Sequence, residues 1–226
     1  FINGSFFNHG KLAVHEQDIR TYLDNSNTTP LLGWTPDWAH QSNMLVREFG
    51  RVLTSGIGTW MYDMNGCWYN ASEFWNLFSQ FQQIGAGELN KTYQSVAEMA
   101  VVVDDLSWIY RPLAPQEDFL QFNSVSVQRA PLGWMGAPYD VYLLDDLLQP
   151  STKTYKCYLF LNTYAIDSAK VTQIHNLLAA NNATAVWVYA PGIISDGTKS
   201  TSNISNLTGF PIERAVIPNN YGQVTI

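Results

Sequence analysis

Along the chain, short apolar runs that end in polar residues alternate with stretches whose apolar positions recur every three or four residues. The first run, residues 11–16 (KLAVHE), reads as a buried parallel strand. A polar stretch from Asp24 to Thr29 follows. A helix is then predicted from Pro36, capped by Thr35, with Trp38, Leu45, Phe49 and Val52 on its apolar side and its end at Gly56 and Gly58. Residues 58–64 (GTWMYDM) form a second strand. Asn70 or Ser72 caps an aromatic helix through Phe74, Trp75, Leu77, Phe78 and Phe81. Near residues 85–94 the pattern breaks with Gly, Asn and Lys, which marks a domain boundary. Beyond it, MAVVV (residues 99–103) reads as a fully buried strand, with Asp104-Asp105 and Ser107 at its solvated end. Further strands are predicted at 138–144, which runs into Asp145-Asp146, at 156–161 and at 184–189. Between the last two lies a helix capped by Asp167 or Ser168, carrying Val171, Ile174, Leu177 and Leu178 and ending at Asn181-Asn182. Residues 195–205, rich in Ser, Thr and Asn, read as a surface loop. Near-continuous apolar strands alternating with helices predict an α/β fold with parallel sheets covered on both faces, the second part a flavodoxin-like doubly wound sheet.

Composition narrows the class. With 226 residues, 46% hydrophobic and 14% charged, the chain is globular and long enough for one large domain or two small ones. Nineteen acidic against 12 basic residues, a net charge of -7, argue against a nucleic-acid partner, because phosphate binding needs a surplus of Lys and Arg. No apolar run approaches the roughly 18 residues of a membrane span. The chain begins at Phe1 without a leader pattern, so a signal peptide is expected to be already removed or to lie outside this sequence. Seven glycosylation sequons, at Asn3, Asn27, Asn70, Asn90, Asn182, Asn203 and Asn206, tilt the expectation towards export. Cys67 and Cys157 are expected as two separate buried thiols, the latter protonated and inert inside its apolar strand. Eight Trp and 12 Tyr raise the aromatic content to 14%, and such flat faces with polar tips suit either core packing or a sugar-binding cleft.

Candidate chemistry gathers at two strand ends. In His15-Glu16-Gln17-Asp18-Ile19-Arg20, a Glu at the C-terminal end of a barrel strand points to the face where such barrels keep their active sites. A carboxylate there can attack an anomeric carbon or activate water, with Asp18 and Arg20 holding neighbouring groups. The alternative is a surface strand end with a local Asp–Arg pair. In the run from Trp60 to Tyr69, Trp60 supplies a flat platform and Asp63 a hydroxyl acceptor, and Gly66 lets the chain turn before Trp68; a packed aromatic strand is the plainer reading. No metal or cofactor is expected, since the four His show no ligand spacing and no phosphate loop or GxSxG elbow is present. An amidotransferase-like enzyme would need a reactive Cys at a strand-to-helix elbow, and Cys157 falls mid-strand instead.

The runs GKLAVHEQDIRTYL, LVREFGRVLTSG, GTWMYDMNGCWY and AEMAVVVDDLSWIY resemble the later part of a glycoside hydrolase family 42-type β-galactosidase. The resemblance implies the last strands and helices of a (β/α)8 barrel over residues 1–92, followed by a flavodoxin-like trimerisation domain over 93–226. It implies Glu16 as the nucleophile, Trp60 as a wall of the sugar site, and Asp18, Arg20, Asp63 and Trp68 as supports. The substrate is then a β-galactoside or related β-linked sugar, and the assembly a homo-oligomer, a trimer in the family manner. In the family the general acid/base Glu sits on an earlier strand, and a further β-domain follows a position like the strand-like IERAVI of residues 212–217. The chain is therefore expected to be a piece of a longer enzyme, inactive alone, whose first ninety residues self-associate through a bare apolar flank. The rival reading is a non-catalytic carbohydrate-binding or oligomerisation module.

Overall fold

The computed structural model describes residues 2–24, 33–64, 66–110 and 119–214. Most of the polar stretch at 24–29, the Asn27 sequon and the end of the segment at 212–217 lie outside the described residues. Packing divides the chain into two compact units: residues 9–95, and the residues up to Asn8 together with those from Val96 onward. The sequence-based division runs 1–92 and 93–226; the eight N-terminal residues associate instead with the later unit.

The N-terminal helix α1 (Asn3–Asn8) was not anticipated, and its partners explain why it belongs to that unit. The later unit is built on a four-stranded parallel sheet of β3 (Met99–Val103), β4 (Tyr139–Leu143), β5 (Cys157–Phe160) and β7 (Thr184–Trp187), in spatial order β4-β3-β5-β7. Counting only these strands, the order is 2-1-3-4, the doubly wound flavodoxin-like sequence. β4 is an edge, and its outward N–H groups at Val141 and Leu143 donate to Asn3 Oδ1 at 3.3 Å and Ser5 Oγ at 2.8 Å. A helix thus covers the edge of a sheet that would otherwise invite another strand. Gly4 between them permits the approach: a Cβ there would meet the Tyr142 ring at 2.4 Å. Asn8 finishes the contact, its amide donating to Asp146 O and Thr152 Oγ1.

The core of this unit joins Ala100, Val102, Tyr158 and Phe160 of the sheet to Val171 and Ile174 of α4 (Ser168–Asn181), and Phe160 stacks on Trp187 at 4.1 Å. Asp167 caps α4 through Lys170 N–H, and Asn182 closes it in the left-handed conformation. Asp104, expected at a solvated strand end, is 1% exposed. Its backbone is clamped by Asn162, which accepts from Asp104 N–H and donates to Asp104 O, both at 2.8 Å, while its carboxylate takes Ser107 Oγ–H and Leu106 N–H. Burial raises its pKa above the usual carboxylate value despite these bonds. Residues 195–205 are not a loop. A hairpin of β8 (Ile194–Ser195) and β9 (Thr198–Lys199), with β6 (Ala165–Ile166) alongside, leads into α5 (Thr201–Thr208). Ser200 caps α5, and Ile204 and Leu207 are buried.

In the unit of residues 9–95, β1 (Val14–Gln17) pairs in parallel with β2 (Gly58–Met61), and α2 (Trp38–Thr54) and α3 (Ser72–Glu88) follow the strands. Asp37, not Thr35, caps α2: its carboxylate accepts from His40 N–H at 2.9 Å, whereas Thr35 donates to Gln41 Oε1 at 2.8 Å. Ala71 precedes α3 with no side-chain cap, so neither Asn70 nor Ser72 serves there. α3 also runs through Gly85 and Gly87 to Glu88, past the expected break. Much of the aromatic surplus is core: Phe74 meets Trp38 edge-on at 5.0 Å and Tyr22 stacked at 5.7 Å, and Phe49 stacks on Phe81 at 4.2 Å. Both cysteines are free, but Cys67 is exposed at φ 69° and Cys157 only half-buried, against the expectation of two buried thiols. The half-burial of Cys157 still pushes its thiol pKa up.

Candidate active site

The register of β1 and β2 places Glu16 directly opposite Trp60, with Val14 opposite Gly58 and Gln17 opposite Met61. In a parallel pair, side chains alternate in step, so opposed residues share a face. The face with His15, Gln17, Thr59 and Met61 turns towards the helices: Gln17 is buried and Met61 packs on the aromatic core. The face with Val14, Glu16 and Trp60 is bare; Glu16 is exposed and the indole of Trp60 is 47% exposed. The acid and the indole therefore stand side by side on an open surface, with the Tyr62 ring edge-on to Trp60 at 5.6 Å.

Loops leaving the two strands are bound to each other. Tyr62 N–H donates to Gln17 O at 3.1 Å, Thr21 Oγ–H donates to Trp68 O, and Tyr69 O–H reaches Ile19 O at 3.3 Å. Arg20 sits over the Trp68 ring, its Cζ 4.0 Å from the ring centroid, pairs with Asp18 and approaches Asp24 at 3.7 Å. Trp68 is only 1% exposed, so it offers no face to a ligand and serves as the floor on which Arg20 is held. Asp18 remains partly exposed beside that guanidinium. Burial, and next the Asp63 carboxylate, hold the Tyr69 pKa well above the ordinary phenol value. Tyr22, which donates to Glu73 Oε1 at 2.5 Å, is pushed up to about 12 by burial and that carboxylate. Both phenols are therefore neutral donors at physiological pH.

Asp63 follows Trp60 by three positions. It borders a hollow of 520 Å³ walled by Met61, Tyr69, Trp75 and Phe78, with Cys67 and Asn70 at its rim. Neither Glu16 nor Trp60 lines it. Sequence reading missed Asn70, Trp75 and Phe78 as pocket residues. The available signal was Trp75: Phe74, Phe78 and Phe81 lie on one face of α3, and Trp75 falls off that stripe and is 63% exposed. Among the described residues no group of three His, Cys, Asp or Glu side chains is arranged to hold a metal ion. No described helix is long and apolar enough to cross a membrane.

No protein-family model and no curated protein matches the chain. Solved structures do. A family 42 β-galactosidase from G. stearothermophilus and a catalytic mutant of it each align over 97% of this chain at TM-score 0.59 and 14% identity. The β-galactosidase of Bacillus circulans sp. alkalophilus aligns over 83% at TM-score 0.54 and 15% identity. The chain has a β-galactosidase-like fold. It is α/β with parallel sheets, its first strands and helices those of a (β/α)8 barrel and its second sheet flavodoxin-like. The aligned part covers about a third of each neighbour's own length, 34% and 28%. At these identities the likeness is one of fold.

Proposed function

We propose that this chain is part of a retaining glycoside hydrolase acting on β-galactosides or related β-linked sugars, with Glu16 as its nucleophile. The observation that carries this reading is the register that sets Glu16 beside Trp60 on the exposed face of the β1–β2 pair. In a (β/α)8 barrel that uncovered face lines the barrel interior, and strand C-terminal ends carry the chemistry. The carboxylate attacks the anomeric carbon and the glycosidic oxygen leaves with a proton from a second carboxyl. Water then hydrolyses the glycosyl ester. Trp60 stacks on the apolar face of the sugar, Asp18 and Arg20 orient the loop beyond β1, and Trp68 supports Arg20 from beneath. The family 42 neighbours, one of them a catalytic mutant in which alanine replaces a glutamate, favour a carboxylate-based reaction on a β-galactoside.

Other Glu residues of this unit are engaged elsewhere: Glu48 by Arg47 and Arg51, Glu73 by Tyr22 and Glu88 by Lys91. We assign the general acid/base to polypeptide outside this chain. Glu16→Gln in the enzyme that carries this segment lowers turnover of an aryl β-galactoside by about three orders of magnitude or more; wild-type turnover removes the assignment. The two-stranded β1–β2 sheet favours the second reading, a non-catalytic carbohydrate-binding or assembly module, because two strands cannot close a barrel. Turnover by the 226-residue chain itself would exclude that reading. For assembly, the later unit exposes Trp108, Ile109, Tyr110, Phe122 and Trp134, apolar surface suited to contact between copies. Light scattering is expected to report an oligomer, a trimer in the family manner, and a strict monomer contradicts this.

A further inference from the structure

The hollow between α3 and the segment after β2 belongs to no part of the proposed catalytic face. Its walls are aromatic: Trp75 turns away from the core stripe of its helix, and Tyr69 and Phe78 close the sides. The Tyr69 hydroxyl is spent on Ile19 O and Tyr62 O, so this residue presents only its ring. At the rim, Asp63 and Asn70 are exposed and spend no side-chain oxygen on a hydrogen bond to a described residue. At 520 Å³ the hollow falls in the range of small-molecule clefts, about 300–1,000 Å³. The chain's net charge of -7 and the Asp63 carboxylate disfavour an anionic guest. A purely apolar guest would strip water from Asp63 and Asn70 without replacing its hydrogen bonds. A neutral polyhydroxyl ring satisfies all of these conditions, with C–H faces for indole and phenyl rings and hydroxyls for the carboxylate and amide.

We infer that the Asp63–Asn70–Trp75 hollow is a second carbohydrate-binding site that takes a neutral pyranose, separate from the Glu16–Trp60 face. The ring stacks on Trp75, hydroxyl groups donate to Asp63, and Asn70 donates and accepts at the rim. The assignment goes beyond the catalytic proposal and does not depend on it, since no residue of the hollow performs bond cleavage.

Cys67 provides the test. It is exposed at the rim, so a bound sugar shields it from iodoacetamide, while half-buried Cys157 serves as the internal reference. The full chain is alkylated with methyl β-glycosides of galactose, glucose, mannose and xylose as probes, and each cysteine is followed by peptide mass spectrometry. At least one glycoside, at twice its dissociation constant, is expected to slow Cys67 alkylation about threefold and leave Cys157 unchanged. Protection persists in Glu16→Gln, is lost in Trp75→Ala and is partly kept in Trp75→Phe. If Trp75→Ala melts early, Asn70→Ala at the exposed rim replaces it, and weakened protection is expected. Absence of protection by all four glycosides, equal protection by glycerol, or full protection in folded Trp75→Ala overturns the inference. Protection lost in Glu16→Gln but kept in Trp75→Ala assigns the sugar to the Glu16–Trp60 face; it overturns this site and leaves the catalytic proposal standing.

Discussion

The four-stranded sheet of the later unit and the β1–β2 pair treat their surfaces in opposite ways. In the later unit β3 is buried along both faces and the edge at β4 is closed by α1, whose Asn3 and Ser5 accept the free N–H groups. In the unit of residues 9–95 one face of β1–β2 rests on two helices, and the other exposes Val14, Glu16 and Trp60. Where a sheet is finished, the exposed side chains along its strands carry little meaning. Where a face is left bare beside a carboxylate, its residues are available for a ligand or for the rest of a barrel. The contrast separates residues that hold the fold from residues free to act.

The largest effect expected from breaking that contrast is on turnover. Glu16→Gln removes the proposed nucleophile and lowers kcat by about three orders of magnitude or more, with thermal stability unchanged because the side chain is exposed. Next comes the core against the open face. Phe74→Ala empties a fully buried site and costs about 3–5 kcal/mol in denaturant unfolding, whereas Trp60→Ala stays within about 0.5 kcal/mol while weakening sugar binding. If both cost the same, the face is not bare in solution. Gly4→Ala drives a methyl into the Tyr142 ring and is expected to cost about 1–3 kcal/mol, with faster hydrogen exchange at Val141 and Leu143 as the edge opens.

The smallest effect is on pH dependence, where two carboxylates act with opposite sign. Burial raises the Asp104 pKa, so its contribution is fully present below the unfolded value of about 3.9 and is lost as pH rises through the folded value; Asp104→Asn removes this loss. Burial also pushes Glu48 upward, but hydrogen bonds from Arg51 and Arg47 outweigh it and its pKa is lowered. Its contribution is therefore present above about 4.3 and lost on acidification, by under about 1 kcal/mol for so superficial a pair. Thermal melts of Asp104→Asn and Glu48→Gln between pH 3 and pH 8 should diverge from wild type at opposite ends of the range.

What could be read in the sequence was local. MAVVV predicts β3 from Met99 to Val103, the residues observed, because an unbroken apolar run states its own burial. Asp167 was readable as one of two candidate caps, with Ser168, because its partner, Lys170 N–H, is three residues away. α1 was not readable, since its purpose is to close an edge strand far along the chain. Asp104 looked solvated because Asn162, which clamps it, arrives from the segment after β5. The Ser/Thr/Asn content of residues 195–205 suggested a loop and hid the Ser200 cap and the buried Ile204 and Leu207. At the candidate site, the sequence order proposed Glu16 and Trp60 as neighbours, but their shared face is a matter of strand register, which composition does not encode. The resemblance implied Trp68 as a support of the sugar site; its burial depends on Arg20 and Thr21 from the other strand's loop.

The most direct test of the proposed Glu16 assignment is covalent trapping in the protein that contains it. A 2-deoxy-2-fluoro-β-galactosyl donor with a good leaving group allows the glycosyl ester to form and slows its hydrolysis, and peptide mapping then locates the added mass. A single fluorogalactosyl group is expected on the peptide containing Glu16, absent in Glu16→Gln. A label on any other carboxylate, with Glu16 unmodified, contradicts the assignment.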